Sequence, residues 1–158
     1  MDVQAFRKLF SSLDQVQKSA EQLRNEKAKI FWKGISQSAK PIVAGQLAEQ
    51  VPGNHLFILE DKEAAAYFYN DLESFYPNDS RILFFPDSYR TPYQTEETDN
   101  ANVVLRAEVL EKISSGKNAW IVTYPKALFE KVPTQQKLVE NTLRIEAGKN
   151  YSIEFIQE

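Results

Sequence analysis

The chain contains no cysteine, which excludes disulfides, thiol nucleophiles and thiolate metal centres and is compatible with a reducing compartment. It also lacks a basic excess. Nineteen Lys and Arg stand against 22 Asp and Glu, for a net charge of −3 and a pI of about 5.3. No global basic field therefore draws the chain onto nucleic acid, which disfavours a stand-alone DNA-binding module. No apolar run approaches the ~20 residues needed to cross a bilayer. Met1-Asp2-Val3-Gln4 does not have the basic-then-apolar layout of a signal peptide. Internal repeats and low-complexity tracts are missing as well. The expectation is a soluble, cytoplasmic domain with no membrane partner, and a chain of 158 residues is long enough to bury one core without staples.

What is present is an alternation of helical and strand periods. Phe6, Leu9 and Phe10, then Leu13, Val16 and Leu23, lie at helical spacing and predict a helical first segment. Lys29-Ile30-Phe31-Trp32 reads as a short strand running into Gly34. Ile42, Leu47 and Val51 mark a helix closed by Pro52-Gly53-Asn54. His55 to Leu59 is a compact strand, after which Asp61 caps a helix with Ala65, Phe68, Leu72 and Phe75 as its stripe. Ile82 to Phe85 is the next strand. A polar, aromatic loop spans residues 88–100, and a helix with Leu105, Val109 and Ile113 follows, ended by Ser114-Ser115-Gly116. Ala119 to Thr123 is a fourth strand and residues 124–131 a short helical turn. Short apolar strands between amphipathic helices predict an α/β fold with a parallel sheet covered on both faces.

The segment Gly34-Ile35-Ser36-Gln37-Ser38-Ala39-Lys40-Pro41 has the spacing of a phosphate-binding loop without its chemistry. Such a loop reads Gly, four residues, then Gly-Lys-Ser/Thr: backbone N–H groups cradle phosphate, the Lys reaches the β- and γ-phosphates and the hydroxyl holds Mg²⁺. Here Ala39 replaces the second glycine and Pro41 the hydroxyl residue. Proline removes a donor and the metal ligand together. The loop alone leaves two readings open, a degenerate nucleotide site or an ordinary strand-to-helix turn with a solvated Lys40. Pro41 suits the first turn of a helix in either case, and Lys40 retains the means to attract an isolated anion weakly at the helix N-terminus.

Other chemistry-bearing residues carry less. Tyr89, Arg90, Tyr93 and Gln94 are of the types that stack on and contact a nucleic-acid strand, but Glu96, Glu97 and Asp99 beside them repel phosphate. Those carboxylates have no Gly-ordered ligand spacing and read as a solvated acidic loop. His55, the single histidine, opens a buried strand with no identifiable catalytic partner and reads as a structural, hydrogen-bonded residue. Lys27, Lys29 and Lys33 form a thin basic cluster diluted by Glu26. Beyond residue 135, Lys137 to Ile145 is amphipathic and β-prone. Tyr151 to Ile156 begins an apolar-patterned helix that stops at Glu158 without a cap, so residues 136–158 read as the truncated start of a second domain after a first lobe at 1–135.

Taken in order, the strand, the Gly34-to-Pro41 loop, and Phe85-Pro86-Asp87-Ser88-Tyr89-Arg90-Thr91-Pro92-Tyr93-Gln94 resemble the N-terminal, UvrB-like region of the transcription-repair coupling factor family (Mfd). Arg106 on the next helix, Val122-Thr123-Tyr124-Pro125-Lys126-Ala127-Leu128 and Val132-Pro133 continue the likeness across nearly the whole chain. The resemblance implies a RecA-like lobe, of P-loop NTPase type, whose nucleotide site is degenerate at Gly34, Ser36, Ser38, Ala39, Lys40 and Pro41. It implies no cofactor and no catalysis in this lobe. ATP-driven translocation, RNA polymerase and DNA belong to other parts of such proteins, and UvrA to the domain after the lobe. The lobe's own implied role is docking against other domains of the same polypeptide. Tyr89, Arg90, Tyr93, Gln94 and Arg106 are its candidate contact residues. The alternative is an active P-loop hydrolase or kinase with a variant loop, for which Asp87, at the end of a strand, is the candidate Mg²⁺ partner.

Overall fold

The computed structural model of the chain describes residues 3–25, 27–36, 39–88, 100–134 and 137. The elements run α1 (Val3–Ser11), α2 (Asp14–Leu23), α3 (Ala39–Gln50), β1 (His55–Ile58), α4 (Lys62–Phe75), β2 (Ile82–Phe85), α5 (Asn100–Ser114), β3 (Trp120–Thr123) and α6 (Pro125–Phe129). The three strands form one parallel sheet in the order β1-β3-β2. This is an α/β protein with a small, open, all-parallel sheet.

The register sets the layers. Leu56, Ile121 and Leu83 stand in one row across the sheet, and Ile58, Thr123 and Phe85 in another. Successive side chains point to opposite faces. On one face the Phe57 ring lies 5.4 Å from Phe68 and the Phe84 ring 5.4 Å from Tyr69, so α4 covers it. Helix α3 packs beside α4, where the Gln46 amide donates to the Tyr76 hydroxyl at 2.9 Å. On the other face α5 lies over β2, with the Arg106 guanidinium 4.2 Å from the Phe85 ring centroid. Every residue of β3 is buried, as an apolar central strand of a parallel sheet requires.

Local chemistry explains most boundaries. Asp61 caps α4 by accepting from the Ala64 N–H at 2.8 Å, and the expected stripe of Ala65, Phe68 and Leu72 is buried. Gly116 ends the α5 region with φ +69°, a left-handed conformation that glycine adopts without a Cβ penalty.

The first segment is helical as expected and is divided into two helices, while one expected strand is corrected. The Ser11 and Ser12 hydroxyls donate back to the Lys8 and Leu9 carbonyls, both at 2.9 Å, and such serine back-bonding competes with helix continuation. The strand expected at Lys29–Trp32 is absent, for residues 28–33 have no regular structure and Phe31 is 82% exposed. Three apolar residues between Lys29 and Lys33 cannot fill a strand buried on both faces. Trp32 instead ties this stretch to α2, its indole N–H donating to the Ser19 hydroxyl at 3.1 Å. The sheet is accordingly three strands wide among the described residues, and its α5 face is open over β1. The proposed second domain, 136–158, lies outside the described residues except for Lys137.

Candidate functional site at the carboxyl edge of the sheet

In open parallel sheets, the crevice beyond the carboxyl ends of the strands is where ligands bind; Lys40 and Pro41 stand beside the end of β1, and Asp87 follows β2. Gly34 has φ +77°, and nothing stands within 4 Å of the place a Cβ would take. Its glycine serves the turn and not a close approach. The Ser36 carbonyl accepts from both the Ala39 N–H at 3.0 Å and the Lys40 N–H at 3.3 Å. Pro41 has no N–H to offer and its ring is buried in the protein. Two donors that a phosphate would need are therefore turned onto the chain itself, and a third is missing. Ser38 lies outside the described residues.

Lys40 is exposed and lines a cleft of about 630 Å³ between the start of α3, the end of β1 and the first turns of α4. Glu60, Asp61, Glu63 and Asp71 line the same cleft. A polyphosphate placed there would meet four carboxylates and one ammonium, an unfavourable balance.

The densest polar arrangement stands where β2 and β3 end. Because Phe85 pairs with Thr123, the next residues on the two strands converge. Thr123 donates its hydroxyl to the Phe85 carbonyl at 2.8 Å. The Tyr124 hydroxyl donates to a carboxylate oxygen of Asp87 and accepts from the Asp87 N–H at 2.9 Å. Asp87 is 3% exposed, and its carboxylate also takes an ion pair with Lys126 at 2.5 Å and a longer one with Lys62 at 3.8 Å. Burial by itself would raise the Asp87 carboxyl. The hydrogen bonds from Lys126 and Tyr124 and the two positive charges outweigh it, holding the group below its ordinary range. Burial pushes the Tyr124 hydroxyl strongly upward, and its bond to the Asp87 carboxylate adds to that, so it stays a donor.

A second tier supports the first. Asn102 donates to the Asp87 carbonyl at 2.9 Å, and Arg106 donates to the carbonyls of Pro86 at 2.7 Å and Ala127 at 3.2 Å. Glu130 stands 3.7 Å from Arg106 and accepts from both the Ser88 N–H, at 2.8 Å, and the Ser88 hydroxyl. This network clamps the ends of β2 and β3, the start of α5 and α6 together. Both carboxylate oxygens of Asp87 are engaged, one by the Tyr124 phenol with Lys62 3.8 Å away and the other by the Lys126 ammonium.

Of the residues expected to form a site, Ser36, Ala39, Lys40 and Pro41 are together at the start of α3, and Gly34 forms the turn before them. The Arg106 guanidinium is buried, its Nη1 donating to the Pro86 and Ala127 carbonyls while Nη2 has no hydrogen-bond partner among the described residues. Tyr89, Arg90, Tyr93 and Gln94 lie outside the described residues. The described residues on either side of them, Ser88 and Asn102, both belong to the Asp87 network. His55 donates from Nε2 to the Val51 carbonyl at 2.8 Å, a structural bond. Sequence reasoning missed Lys62, Asn102, Tyr124, Lys126 and Glu130 as partners of this edge. The signal that could have found Tyr124 is its place one residue beyond a strand, matching Pro86 beyond β2, but only once the strand order is known.

No family model, curated protein or solved structure matches the chain. Among the described residues no helix is long and apolar enough to cross a membrane.

Proposed function

We propose that this chain is a catalytically silent module of RecA-like type, corresponding to the N-terminal lobe of a transcription-repair coupling factor, and that it acts by docking. Its role is to pack against other domains of the same polypeptide, to restrain the motor and to support the domain that recruits UvrA. The observation that carries the non-catalytic part is the start of α3. The Ala39 and Lys40 N–H groups are closed onto the Ser36 carbonyl, and Pro41 supplies neither donor nor hydroxyl. The salt-bridged Asp87 supports the same reading, because the strand-end carboxylate that the alternative reading needs for Mg²⁺ is held by Lys126 and Lys62 and does not line the Lys40 cleft. The family assignment rests on the ordered residues from Gly34 to Pro133, and a cytoplasmic setting accords with the absence of cysteine.

The test is thermal stability with and without saturating Mg-ATP and Mg-ADP. A ligand present at about a hundred times its Kd adds roughly 2.7 kcal/mol to the folded state, a plainly visible shift in Tm. The proposal expects no shift, and no change on Lys40→Ala. A nucleotide-dependent rise in Tm that Lys40→Ala abolishes would establish an active phosphate-binding loop and overturn it.

A further inference from the structure

Strand β1 is an edge strand of an unusual kind. Natural edge strands are commonly guarded by lysine, proline, bulges or a covering element, because their outward N–H and C=O groups are templates for another strand. His55-Leu56-Phe57-Ile58 carries no lysine and no proline, and among the described residues no element pairs with its outer side. His55 and Leu59 direct their N–H groups to β3, at 2.9 Å from the Ala119 and Thr123 carbonyls. By the alternation of a parallel ladder, Leu56 and Ile58 direct theirs to the open edge. The same two residues are 52% and 53% exposed on the face that α5 leaves uncovered. Their row-mates Leu83, Phe85, Ile121 and Thr123 are all buried. Among the described residues, an unpaired hydrogen-bonding edge and an exposed apolar face thus coincide on one strand.

Charge identifies what fits there. At the amino end of β1 stand Pro52, Gly53 and Asn54, which carry none. At the carboxyl end, Glu60, Asp61, Glu63 and Asp71 outnumber Lys40 around the 630 Å³ cleft, where Ile58 and the largely exposed Tyr67 supply apolar surface. We propose that β1 docks an extended segment of a partner domain by strand addition, its alternate apolar side chains resting on Leu56 and Ile58 and its lysine or arginine end lying in the acidic cleft. Backbone pairing supplies affinity in such complexes, and the alternate side chains supply specificity. The acidic rim selects the basic end and disfavours an acidic one. This surface deepens the docking role proposed above and rests on it only in that respect. The nucleotide test addresses the silent loop, while the following experiment addresses the edge, so either can fail alone.

The probe is a fluorescent synthetic peptide in which isoleucine alternates with threonine, with three lysines placed at its first or at its last positions. A twin of each carries glutamates in place of the lysines. Anisotropy at low salt should show binding of a lysine peptide and none of its glutamate twin. Amide exchange at Leu56 and Ile58 should slow in the complex. Leu56→Lys with Ile58→Lys should abolish binding while leaving Tm unchanged, since both side chains are half exposed already. Glu60→Lys with Glu63→Lys should weaken binding about fivefold and flatten its salt dependence. Failure of both lysine peptides to bind, equal binding of the glutamate twins, or binding indifferent to the Leu56 and Ile58 substitutions would overturn the proposal. So would a chain that sediments alone as a dimer with these two amides protected, because a second copy would then hold the edge.

Discussion

Replacing Asp87 with asparagine tests the clamp at the sheet's carboxyl edge with almost no change of shape. The substitution keeps an oxygen for the Tyr124 hydroxyl but removes the charge that Lys126 meets at 2.5 Å and Lys62 at 3.8 Å. It also turns an amide donor toward one of the ammonium groups. A hydrogen bond to a charged group contributes about 1.5–3 kcal/mol. The lysine side chains are 63% and 59% exposed and can turn to water, which keeps the loss near the low end, about 2 kcal/mol. For a domain of this size that corresponds to a fall in Tm of about 6 °C. Urea denaturation at neutral pH, followed by circular dichroism, should show a lower midpoint with an unchanged slope.

The pH dependence sharpens the test. The folded carboxyl is held below its ordinary range, so at acid pH the unfolded chain binds more protons than the folded one. The stabilisation is fully present above the unfolded value of about 3.9 and is lost as pH falls through the lower folded value. The gap between the native chain and Asp87→Asn should therefore be constant from pH 7 to about 5 and should narrow below about 4. Asp79, which its hydrogen bond with Arg81 also holds low, is common to both chains and cancels in the difference. A gap under about 0.5 kcal/mol at pH 7, the range of ordinary surface substitutions, would refute the reasoning. A gap that stays unchanged into strong acid would do the same.

Two further substitutions probe the packing around this frame. A Cβ on Gly45 would stand 2.5–2.9 Å from ring atoms of the buried Tyr76, so Gly45→Ala should destabilise by about 1–3 kcal/mol through overpacking, and Tyr76→Phe in the same chain should recover part of the loss because the hydroxyl is one of the atoms met. Arg106→Met should cost about 2–4 kcal/mol by leaving the Pro86 and Ala127 carbonyls and the charge of Glu130 without their partner, and paired equilibrium melts of Arg106→Met and Arg106→Met/Glu130→Gln should show the second change relieving part of the first.

Much of the fold was legible because its signals are local. Asp61 before an apolar stripe, Gly116 after one, and the runs at Leu56–Leu59, Ile82–Phe85 and Trp120–Thr123 each announce an element by its own composition. The loop's departure from the phosphate-binding pattern was legible for the same reason, since Pro41 lacks a donor whatever surrounds it. Lys29–Trp32 failed because a short apolar run states only that three side chains avoid water. Trp32 satisfies that against Ser19 and α2, with no strand needed. The Asp87 clamp was hidden for a different reason. Asp87, Tyr124 and Lys126 meet only because β3 lies between β1 and β2, and no window of neighbouring residues contains that fact. The burial of Arg106 was hidden likewise, because the carbonyls it serves belong to Pro86 and Ala127, some twenty positions away on either side.

The strand order also dictates when the sheet can come into being. Among the described residues, strands β1 and β2 have no ladder with each other and each pairs only with β3, whose four residues come after both in the chain. During synthesis, helices α1 to α5 can form as their residues emerge, but no strand pairing is available until residue 120 has been made. Until then Leu56, Ile58, Leu83 and Phe85 are unpaired apolar stretches, the kind of surface that makes nascent chains prone to aggregation. The two ladders then close together, spanning 65 and 38 positions respectively, so sheet formation should be a single late and comparatively slow event. A ribosome-bound chain ending before Trp120 should accordingly be helical, protease-sensitive throughout 55–85, and a client for chaperones that recognise exposed apolar strands.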